Sequence, residues 1–329
     1  MNILFINRSF FQYDKMIEEY IRKKGHKVYS YTTLPSIKYV GRLVFWKAMI
    51  KKRYLCRKNI VFALSIAQQY DMIKSLKRNH IDINAVFVLS GQTVRAEILA
   101  NLKEMYPKAI FLWYLWDNIH FIDEYDHNKQ FFDKLISFDF VDAQKEKIKF
   151  LPTFYISREI PTRKKYLICH VGSAHKERVK ILAEYKKKID CSNWFIYLYA
   201  SKEEIIRNRN IPEWNEMRQY IHSRKLEYKE VIRILAESFA TIDIPYNYQT
   251  GLTLRTYEAL GLNTKIITNN KNVKKYDFYR ENNIFVFDDN EEVPPESFWN
   301  EPFEKLPMSI YSKYSLGTWI DSLLKELGG

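Results

Sequence analysis

Apolar residues in the first half of the chain fall into short runs separated by longer amphipathic stretches. The runs are rich in β-branched and aromatic residues, as buried strands are. Between them apolar residues recur at helical spacing, as in YDKMIEEYIRKK at 13–24 and VRAEILANLKEMY at 94–106. The predicted strands are NILFINR (2–8), KVYSYT (27–32), AVFVLS (85–90), KAIFLWYL (108–115) and LISFDFV (135–141).

A second succession of the same kind follows residues 152–165, PTFYISREIPTRKK, whose two prolines and charge cluster indicate a linker. Its predicted strands are YLICHVG (166–172), NWFIYLYA (193–200), FATIDIP (239–245), NTKIITN (263–269) and NIFVFD (283–288), with helices at about 175–189, 202–208, 229–238 and 253–260. The pattern predicts an α/β protein with two doubly wound domains in tandem.

The last stretch of the chain predicts one more helix. Ser315 is its candidate N-cap, and Gly328 its candidate C-terminal stop. Six apolar residues share one face: Leu316, Trp319, Ile320, Leu323, Leu324 and Leu327.

Composition agrees with two globular domains. The 329 residues are 47% hydrophobic and 16% aromatic, enough for full cores. The sequence has no apolar run near the roughly 18 residues of a membrane span, and MNILFINRSFF lacks the features of a secretory signal, so we expect a cytoplasmic protein. Cys56, Cys169 and Cys191 are odd in number and widely spaced, which indicates neither a disulfide framework nor a zinc site.

The positive charge of the chain is concentrated in its first half. The total is +13, of which residues 1–155 contribute +10 and residues 156–329 contribute +3. The segment 38–58 holds eight basic residues, no acidic one, and interleaved Trp, Phe and aliphatic side chains. This composition is typical of a helix lying on an anionic membrane surface and equally of a core helix with a solvated basic face. No nucleic-acid-binding motif accompanies the charge, so we expect no nucleic-acid partner.

Ligands of open parallel sheets bind beyond the carboxyl ends of the strands, so the residues that follow each strand are the candidates for chemistry. In the first half these are Asn7, Arg8, Ser90, Gly91, Gln92, Asp117, Asn118 and His120. In the second half they are Gly172, Ser173, His175, Ser201, Tyr246 to Thr253, Asn269 and Asn270.

The stretch QTGLTLRTYEALGLNTKIITNN, residues 249–270, has the most specific pattern. Thr253 is placed to cap a short helix that stops at Gly261, and Gly251 allows a close backbone approach. Free N–H groups at a helix start favour a diphosphate, and Arg255 can fork onto phosphate oxygens. Glu258 can orient Arg255 or accept hydrogen bonds from ribose hydroxyls. The alternative is a capped helix in which Arg255 and Glu258 simply pair with each other.

The run GLTLRTYEALGLNTKIITNN resembles the donor-binding segment of GT-B glycosyltransferases. Together with LWYLWDNIHFI, SFDFVDAQKEKIKFLPTFY and HVGSAHKERVKIL, it resembles bacterial glycosyltransferases of capsular and lipopolysaccharide biosynthesis. The resemblance covers about residues 85–329. It implies two Rossmann-like domains facing a cleft, an acceptor-side domain at 1–155 and a nucleotide-sugar domain at 156–307, with 308–329 ending in a helix that returns to the first.

The resemblance also implies which residues contact the donor. Thr250 stands where many retaining GT-B enzymes have an acidic residue, eight positions before the glutamate of EAL, and this weakens the case for a retaining mechanism. The implied donor-binding residues are Gly172, Ser173, His175, Tyr246, Gln249, Thr250, Gly251, Leu252, Thr253, Arg255 and Glu258. For Gly172 and Ser173 the alternative is a purely structural role in the turn between a strand and a helix, with Ser173 as the helix cap.

An inverting transferase needs a base that takes the proton of the acceptor hydroxyl. Asp117, after the apolar strand FLWYLW, is the leading candidate, although it can equally be the cap of the next helix. His120 is the second candidate. Because the sequence has no Asp-x-Asp triplet, we predict a metal-independent enzyme without a cofactor, in which Arg255 and helix N-termini neutralise the diphosphate.

The resemblance, together with the basic segment, implies as partners a nucleotide-sugar donor and an acceptor that is a saccharide or a lipid-linked saccharide at the inner face of the cytoplasmic membrane. Two other classes remain to be weighed. A dehydrogenase is disfavoured because no G-x-G-x-x-G follows any predicted strand. A non-catalytic protein that binds nucleotide-sugars or saccharides on the same fold stays open, because a fold does not establish a chemistry.

Overall fold

The computed structural model describes residues 1–9, 12–33, 57–90, 94–122, 124–156, 158, 163–189, 193–246, 249–288 and 292–329. These residues form two compact units. The first contains Met1–Leu151 and Ile320–Gly329, and the second contains Pro152–Trp319. Residues 38–56 of the basic segment lie outside the described residues, so the proposed membrane contact stays a prediction.

The first unit alternates strands with helices. Its strands are β1 (Asn2–Asn7), β2 (Lys27–Thr32), β3 (Ala85–Leu89), β4 (Ile110–Leu115), β5 (Lys134–Ser137) and β6 (Lys149–Phe150). The helices among its described residues are α1 (Tyr13–Lys23), α2 (Arg57–Arg78), α3 (Ala96–Met105), α4 (Tyr125–Asn128) and α5 (Phe140–Glu146), with 3-10 turns at Ile119–Phe121 and Lys129–Phe131. The described helices include none long and apolar enough to cross a membrane.

Six strands described in this unit form one parallel sheet in the order β2-β1-β3-β4-β5-β6. The central strands β1, β3 and β4 are almost wholly buried, as expected when a parallel sheet is covered on both faces. Phe5 and Phe87 are partners in the β1–β3 register, and their rings stack with centroids 5.0 Å apart. The apolar runs in the sequence therefore correspond to the middle of the sheet.

The second unit has the same layered plan. Its strands are β7 (Tyr166–Ser173), β8 (Trp194–Tyr199), β9 (Ile221–His222), β10 (Ser238–Asp243), β11 (Lys265–Thr268) and β12 (Ile284–Val286). Its helices are α6 (Lys176–Lys188), α7 (Lys202–Arg207), α8 (Pro212–Glu216), α9 (Tyr228–Ala236), α10 (Leu254–Gly261), α11 (Glu296–Asn300), α12 (Met308–Lys313) and α13 (Leu316–Glu326), with 3-10 turns at Arg218–Tyr220 and Lys271–Lys275.

The second sheet is also parallel, in the order β12-β11-β10-β7-β8-β9. A separate apolar cluster covers each of its faces. Ile267 belongs to the cluster that includes Leu182 of α6, and its neighbour Ile266 to the cluster that includes Tyr257 of α10. Successive side chains of a strand point to opposite faces, so both faces of β11 are packed.

Helix α13 begins in the second unit and ends in the first. Ser315 caps it, because its hydroxyl oxygen accepts a hydrogen bond from the Thr318 N–H (3.2 Å). Beyond Trp319 the helix belongs to the first unit, where the Glu326 carboxylate lies 2.6 Å from the Lys149 ammonium. Gly328, with φ +81°, follows its end in the left-handed conformation that favours glycine. The predicted α/β class, with two Rossmann-like domains, is confirmed.

One predicted strand boundary differs from the structure, and one short strand was not predicted. The run LISFDFV was predicted as one strand, but β5 stops at Ser137 because the Asp139 carboxylate accepts the Val141 N–H (2.8 Å) and starts α5. Helix α10 ends at Gly261, as predicted, and Asn263 after it is left-handed (φ +52°). Strand β9 was not predicted, because two residues are too short for a periodic signal.

Candidate functional site

The order of strands in the second sheet reverses between β7 and β10, which are hydrogen-bonded neighbours. A ligand of such a sheet binds beyond the carboxyl ends of the strands at this point. The end of β7 with the residues after it, 173–175, and the described residues after β10, 244–246 and 249–253, contain eight of the eleven predicted donor-binding residues. The topology therefore brings them to one edge of the sheet.

Helix α10 is anchored to the end of β10 by Asp243. One oxygen of this carboxylate, Oδ2, accepts hydrogen bonds from the hydroxyls of Thr253 and Thr256, both at 2.6 Å. Thr253 also caps the helix by accepting the Arg255 N–H (3.1 Å), as predicted. Asp243 is only 6% exposed. The first turn of α10 is thus held in a fixed position next to the strand end.

Arg255 and Glu258 pair with each other, which is the arrangement that the sequence left open as an alternative. The Glu258 side chain is 2% exposed and that of Arg255 is 19% exposed. A second guanidinium N–H of Arg255 points to the carbonyl oxygen of Val171 in β7, at 3.3 Å. Arg255 is therefore oriented by its own chain, with part of its surface open to solvent. Contact with a donor phosphate stays a prediction.

The turn before α10 is held by two asparagine side chains that follow β11. The Asn270 amide donates to the carbonyl oxygens of Thr250 (3.2 Å) and Gly251 (3.3 Å), and the Asn272 amide donates to that of Thr250 (3.1 Å). Leu252 is buried in the apolar cluster around Tyr257. Among the predicted donor-binding residues of this turn, Leu252 has a buried side chain, so only its backbone is placed to contact a donor.

Tyr246 and His175 connect the segments after β10 and β7. Their rings pack edge to face with centroids 4.8 Å apart, and Tyr246 is 45% exposed. The Gln249 N–H donates to the carbonyl oxygen of Tyr246 (3.0 Å). His175, rather than Ser173, is the N-cap residue of α6, and its side chain makes no cap bond. Burial and the nearby Arg178 lower the pKa of His175, which favours the neutral ring.

Gly172 lies against side chains of the protein itself. A Cβ at this position would be 2.9 Å from His170 Nε2 and 3.2 Å from Arg178 Nη1. The His170 ring is buried and is held by a 2.8 Å hydrogen bond between Nδ1 and the carbonyl oxygen of Ile242. Burial, with the charge of Arg178, lowers the pKa of His170 to about 3, so the ring is neutral.

In the first unit, Arg8, Ser90 and Asp117 follow the neighbouring strands β1, β3 and β4. Burial raises the pKa of Asp117 to about 6, and the charge of Arg8 and a hydrogen bond with the Ser90 side chain oppose that rise. Ser90 adopts φ +66°, an uncommon conformation for a residue other than glycine. A carboxylate with such a pKa accepts a proton near neutral pH.

The loop after Asp117 is fixed by α5. The Asn118 carboxamide accepts the His120 N–H (3.0 Å) and donates to Asp139 (3.3 Å), and the Asp142 carboxylate accepts the Ile119 N–H (2.8 Å). Asn118, rather than Asp117, is therefore the N-cap of the following 3-10 turn. The capping role considered for Asp117 is thus wrong. His120 is exposed, and its ring packs edge to face on Phe121.

Within the described ranges, no group of three or more His, Cys, Asp or Glu side chains is arranged to hold a metal ion. Two guanidiniums belong to this region: that of Arg255, in the first turn of α10, and that of Arg178, which is bonded to the carbonyl oxygen of Ile244 after β10. Burial lowers the pKa of Arg178 to about 10, so its guanidinium remains charged at neutral pH.

No protein-family model matches the sequence, and a comparison with curated proteins gives no match. Solved structures do match over essentially the whole chain. Anabaena Alr3699/HepE in complex with UDP-glucose has a TM-score of 0.61 at 7% identity, covering 100% of this chain and 99% of that one. The chain has the GT-B fold.

Two further GT-B structures carry different activities in their names. The Methanocaldococcus jannaschii UDP-GlcNAc 2-epimerase, in complex with UDP-GlcNAc and UDP, has a TM-score of 0.53 at 12% identity, covering 100% of this chain and 99% of that one. The lipopolysaccharide outer core galactosyltransferase WaaB has a TM-score of 0.51 at 10% sequence identity, and the match covers 99% of each chain. The chain spans only 60% of the matched chain in a GtfA/B complex and 56% of that in the Streptococcus pneumoniae accessory secretory protein 1,2 and 3 structure.

Two residues that organise the candidate site, Asp243 and Arg178, were not selected by reasoning from the sequence. Asp243 is the last polar residue of the run FATIDIP, whereas the strand-end rule was applied only to the residues after Pro245. Arg178 lies in the first turn of α6 and acts on residues far away in the sequence. The sequence signal that could have identified Arg178 is a charged residue in the first turn of a helix that directly follows a strand.

The raised pKa of Asp117 predicts the pH dependence of stability. Its folded pKa of about 6 exceeds that of an unfolded aspartate, about 3.9, so ionisation in the native state lowers the free energy of unfolding as the pH rises through this window. Asp117→Asn removes that loss. We expect the variant to gain stability relative to wild type between pH 4 and pH 8, measured by urea unfolding.

Asp126→Asn is the matched control, because Lys129 lowers the pKa of the Asp126 carboxyl. A carboxyl with a lowered pKa stabilises the fold above its unfolded pKa, so this variant loses stability relative to wild type as the pH rises. A constant difference between Asp117→Asn and wild type at pH 4, 6 and 8 would show that Asp117 titrates normally.

Proposed function

We propose that the protein is a glycosyltransferase that moves a sugar from a nucleotide-sugar donor to a saccharide acceptor. The observation that carries the proposal is the GT-B fold together with Arg255, whose oriented guanidinium lies at the start of α10, beside the end of β7. HepE is similar in fold and has UDP-glucose bound, and WaaB is a galactosyltransferase.

The donor diphosphate is proposed to bind at the start of α10. Backbone N–H groups of its first turn supply partial positive charge, and Arg255 adds a full one. Glu258 orients the guanidinium and is a candidate acceptor for ribose hydroxyls. Because these groups neutralise the diphosphate, and because the sequence has no Asp-x-Asp triplet, we propose that the reaction needs no metal.

Asp117 is proposed to be the base of an inverting transfer. Its carboxylate takes the proton of the acceptor hydroxyl as the oxygen attacks the anomeric carbon, and the nucleoside diphosphate leaves from the opposite face. A pKa of about 6 leaves it ionised at pH 7 and still basic enough for this step. Thr250, at the position of the acidic residue of many retaining enzymes, supports an inverting outcome.

The acceptor is proposed to be a lipid-linked saccharide of bacterial surface polysaccharide synthesis, met at the cytoplasmic face of the membrane. The basic segment 38–58, with eight cations and interleaved aromatic residues, supports this proposal by its composition.

The first prediction concerns the donor. Arg255→Ala is expected to weaken nucleotide-sugar binding by about 1.5–3 kcal/mol, because a charge-assisted hydrogen bond is lost. Thermal-shift screening against UDP-, GDP-, TDP- and CMP-sugars selects the donor, and calorimetry then measures its affinity. Arg233→Ala is the control, since Arg233 pairs with Glu237 at similar helical spacing but is 70% exposed in another helix. Unchanged affinity in Arg255→Ala would exclude a phosphate contact.

The second prediction concerns the base. Asp117→Asn is expected to bind donor normally and to lower kcat about 10²–10⁴-fold, as removal of a general base does. In wild type, kcat should fall as the pH drops through about 6, because protonated Asp117 cannot accept a proton. Full activity of the variant would eliminate Asp117 and favour His120.

The products formed by wild type separate this function from its alternatives. Transfer to an added saccharide supports a glycosyltransferase. Donor that is bound but recovered unchanged with every acceptor indicates the non-catalytic binding protein. Epimerised donor without any acceptor indicates the reaction named for the epimerase structure.

The third prediction concerns the membrane. Glutamine in place of four cations is expected to release the protein from vesicles of phosphatidylglycerol, because each cation near an anionic surface contributes about 1 kcal/mol. The four are Lys47, Lys51, Lys52 and Arg53. Glutamine at four lysines of α6 is the charge-matched control. Co-sedimentation of the folded variant at wild-type levels would count against membrane attraction through this segment.

A further inference from the structure

We propose that Arg178 is a positioning residue for the donor, because it ties together the two segments that carry the donor-binding candidates. The proposal rests on the proposed function. Arg178 lies in the motif HVGSAHKERVKIL but is not among the predicted donor-binding residues. Arg178 lies in the first turn of α6, close to the ends of both β7 and β10.

The guanidinium of Arg178 makes three hydrogen bonds, which we call the Arg178 bridge. Nε and Nη2 donate to the carbonyl oxygen of Ile244 at 3.0 and 2.6 Å. Nη1 donates to the carbonyl oxygen of Ser173 at 2.8 Å. Ile244 immediately follows β10, and Ser173 is the last residue of β7. One side chain thus fixes the two points at which the chain leaves the neighbouring strands.

The bridge depends on the shape of the arginine side chain. Its planar fork presents donors in fixed directions, whereas a lysine ammonium is a point charge on a flexible stem. A lysine at position 178 keeps the positive charge but cannot reproduce two parallel bonds to one carbonyl and a third to another. Charge and geometry can therefore be separated by mutation.

Gly172 belongs to the same arrangement. The guanidinium passes so close that a Cβ at position 172 would lie 3.2 Å from Nη1. On its other side that Cβ would lie 2.9 Å from Nε2 of His170, and the His170 ring is held by its bond to Ile242. The added methyl group has little room to move away from either. A glycine is needed here because of the His170 ring and the bridge together, whether or not a ligand also approaches.

The charge of Arg178 is poorly compensated. In the part of the chain that the structure describes, its guanidinium forms no ion pair with a carboxylate within 4.0 Å; Asp243 acts on it only through longer-range attraction, and Arg255 repels it. A partly buried charge that is bonded to carbonyl groups and not to a carboxylate costs free energy relative to its exposure to water. Stability alone does not explain such a residue, while a role in ordering the site does.

The segments that the bridge fixes are those that would meet the donor. One continues to His175, and the other continues through Tyr246 to the Thr253 cap of α10. Productive binding requires groups on both segments to be placed within a fraction of an ångström. Loss of the bridge is therefore expected to affect the donor, while the acceptor-side residue Asp117 lies in the other unit.

The test compares Arg178→Lys and Arg178→Gln with wild type, using the nucleotide-sugar selected by thermal shift. We expect both variants to raise the donor Kd and the donor KM by about ten- to a hundredfold, as small misplacements of binding groups do, with the acceptor KM unchanged. Lys180→Ala, on the exposed side of the same helix, is expected to bind like wild type. Wild-type donor affinity in Arg178→Lys would overturn the proposal, because charge alone would then suffice.

A double-mutant cycle with Gly172→Ala keeps the test decisive if Arg178→Gln folds poorly. Gly172→Ala is expected to reproduce the loss of donor affinity, and its combination with Arg178→Lys should be much less than additive, because both disturb the same bridge. Additive effects would overturn the proposal. Wild type that binds no nucleotide-sugar would instead reject the proposed function, and with it the role of the bridge.

Discussion

The site of the second unit depends on one carboxylate oxygen. Asp243 Oδ2 accepts both the Thr253 and the Thr256 hydroxyl, at 2.6 Å each, and so fixes α10 to the strand that precedes it. The cap of the helix, the direction of Arg255 and the closeness of α10 to β7 all follow from this anchor. A short helix of eight residues gains little order from its own backbone bonds, so its position must come from tertiary contacts of this kind.

Two charged groups of the chain are held where they lower stability. Burial raises the pKa of Asp117, and burial lowers the pKa of Arg178, so the charged form of each is disfavoured in the fold. Both lie at the carboxyl ends of strands, where parallel sheets bind ligands. Groups with perturbed pKa values in such positions are typical of functional sites. Because both residues combine such a location with a cost in stability, they are stronger candidates for a functional role than the many surface charges.

The sequence predicts the parts of this structure that depend on local pattern. Strands such as β1 and β3 are continuous apolar runs, and the cap at Thr253 follows from residue type and spacing. The run LISFDFV misleads because Asp139 caps a helix inside an apolar stretch. The bond from Arg178 to Ile244 joins residues 66 apart, and the reason for Gly172 becomes visible only once the positions of His170 and Arg178 are known. Long-range polar contacts leave no periodic trace in a sequence.

The division of the chain has a consequence for its biosynthesis. The first unit consists of Met1–Leu151 and of Ile320–Gly329, with ion pairs from Lys24 to Asp321 and from Lys149 to Glu326. At about 5–20 residues per second, a ribosome needs on the order of ten seconds or more to add the residues in between. During that time the surface that receives the end of α13 is uncovered. The domain that is translated first is therefore the last to be completed, and a ribosome-bound chain stalled before Ile320 would present this unfinished surface to chaperones.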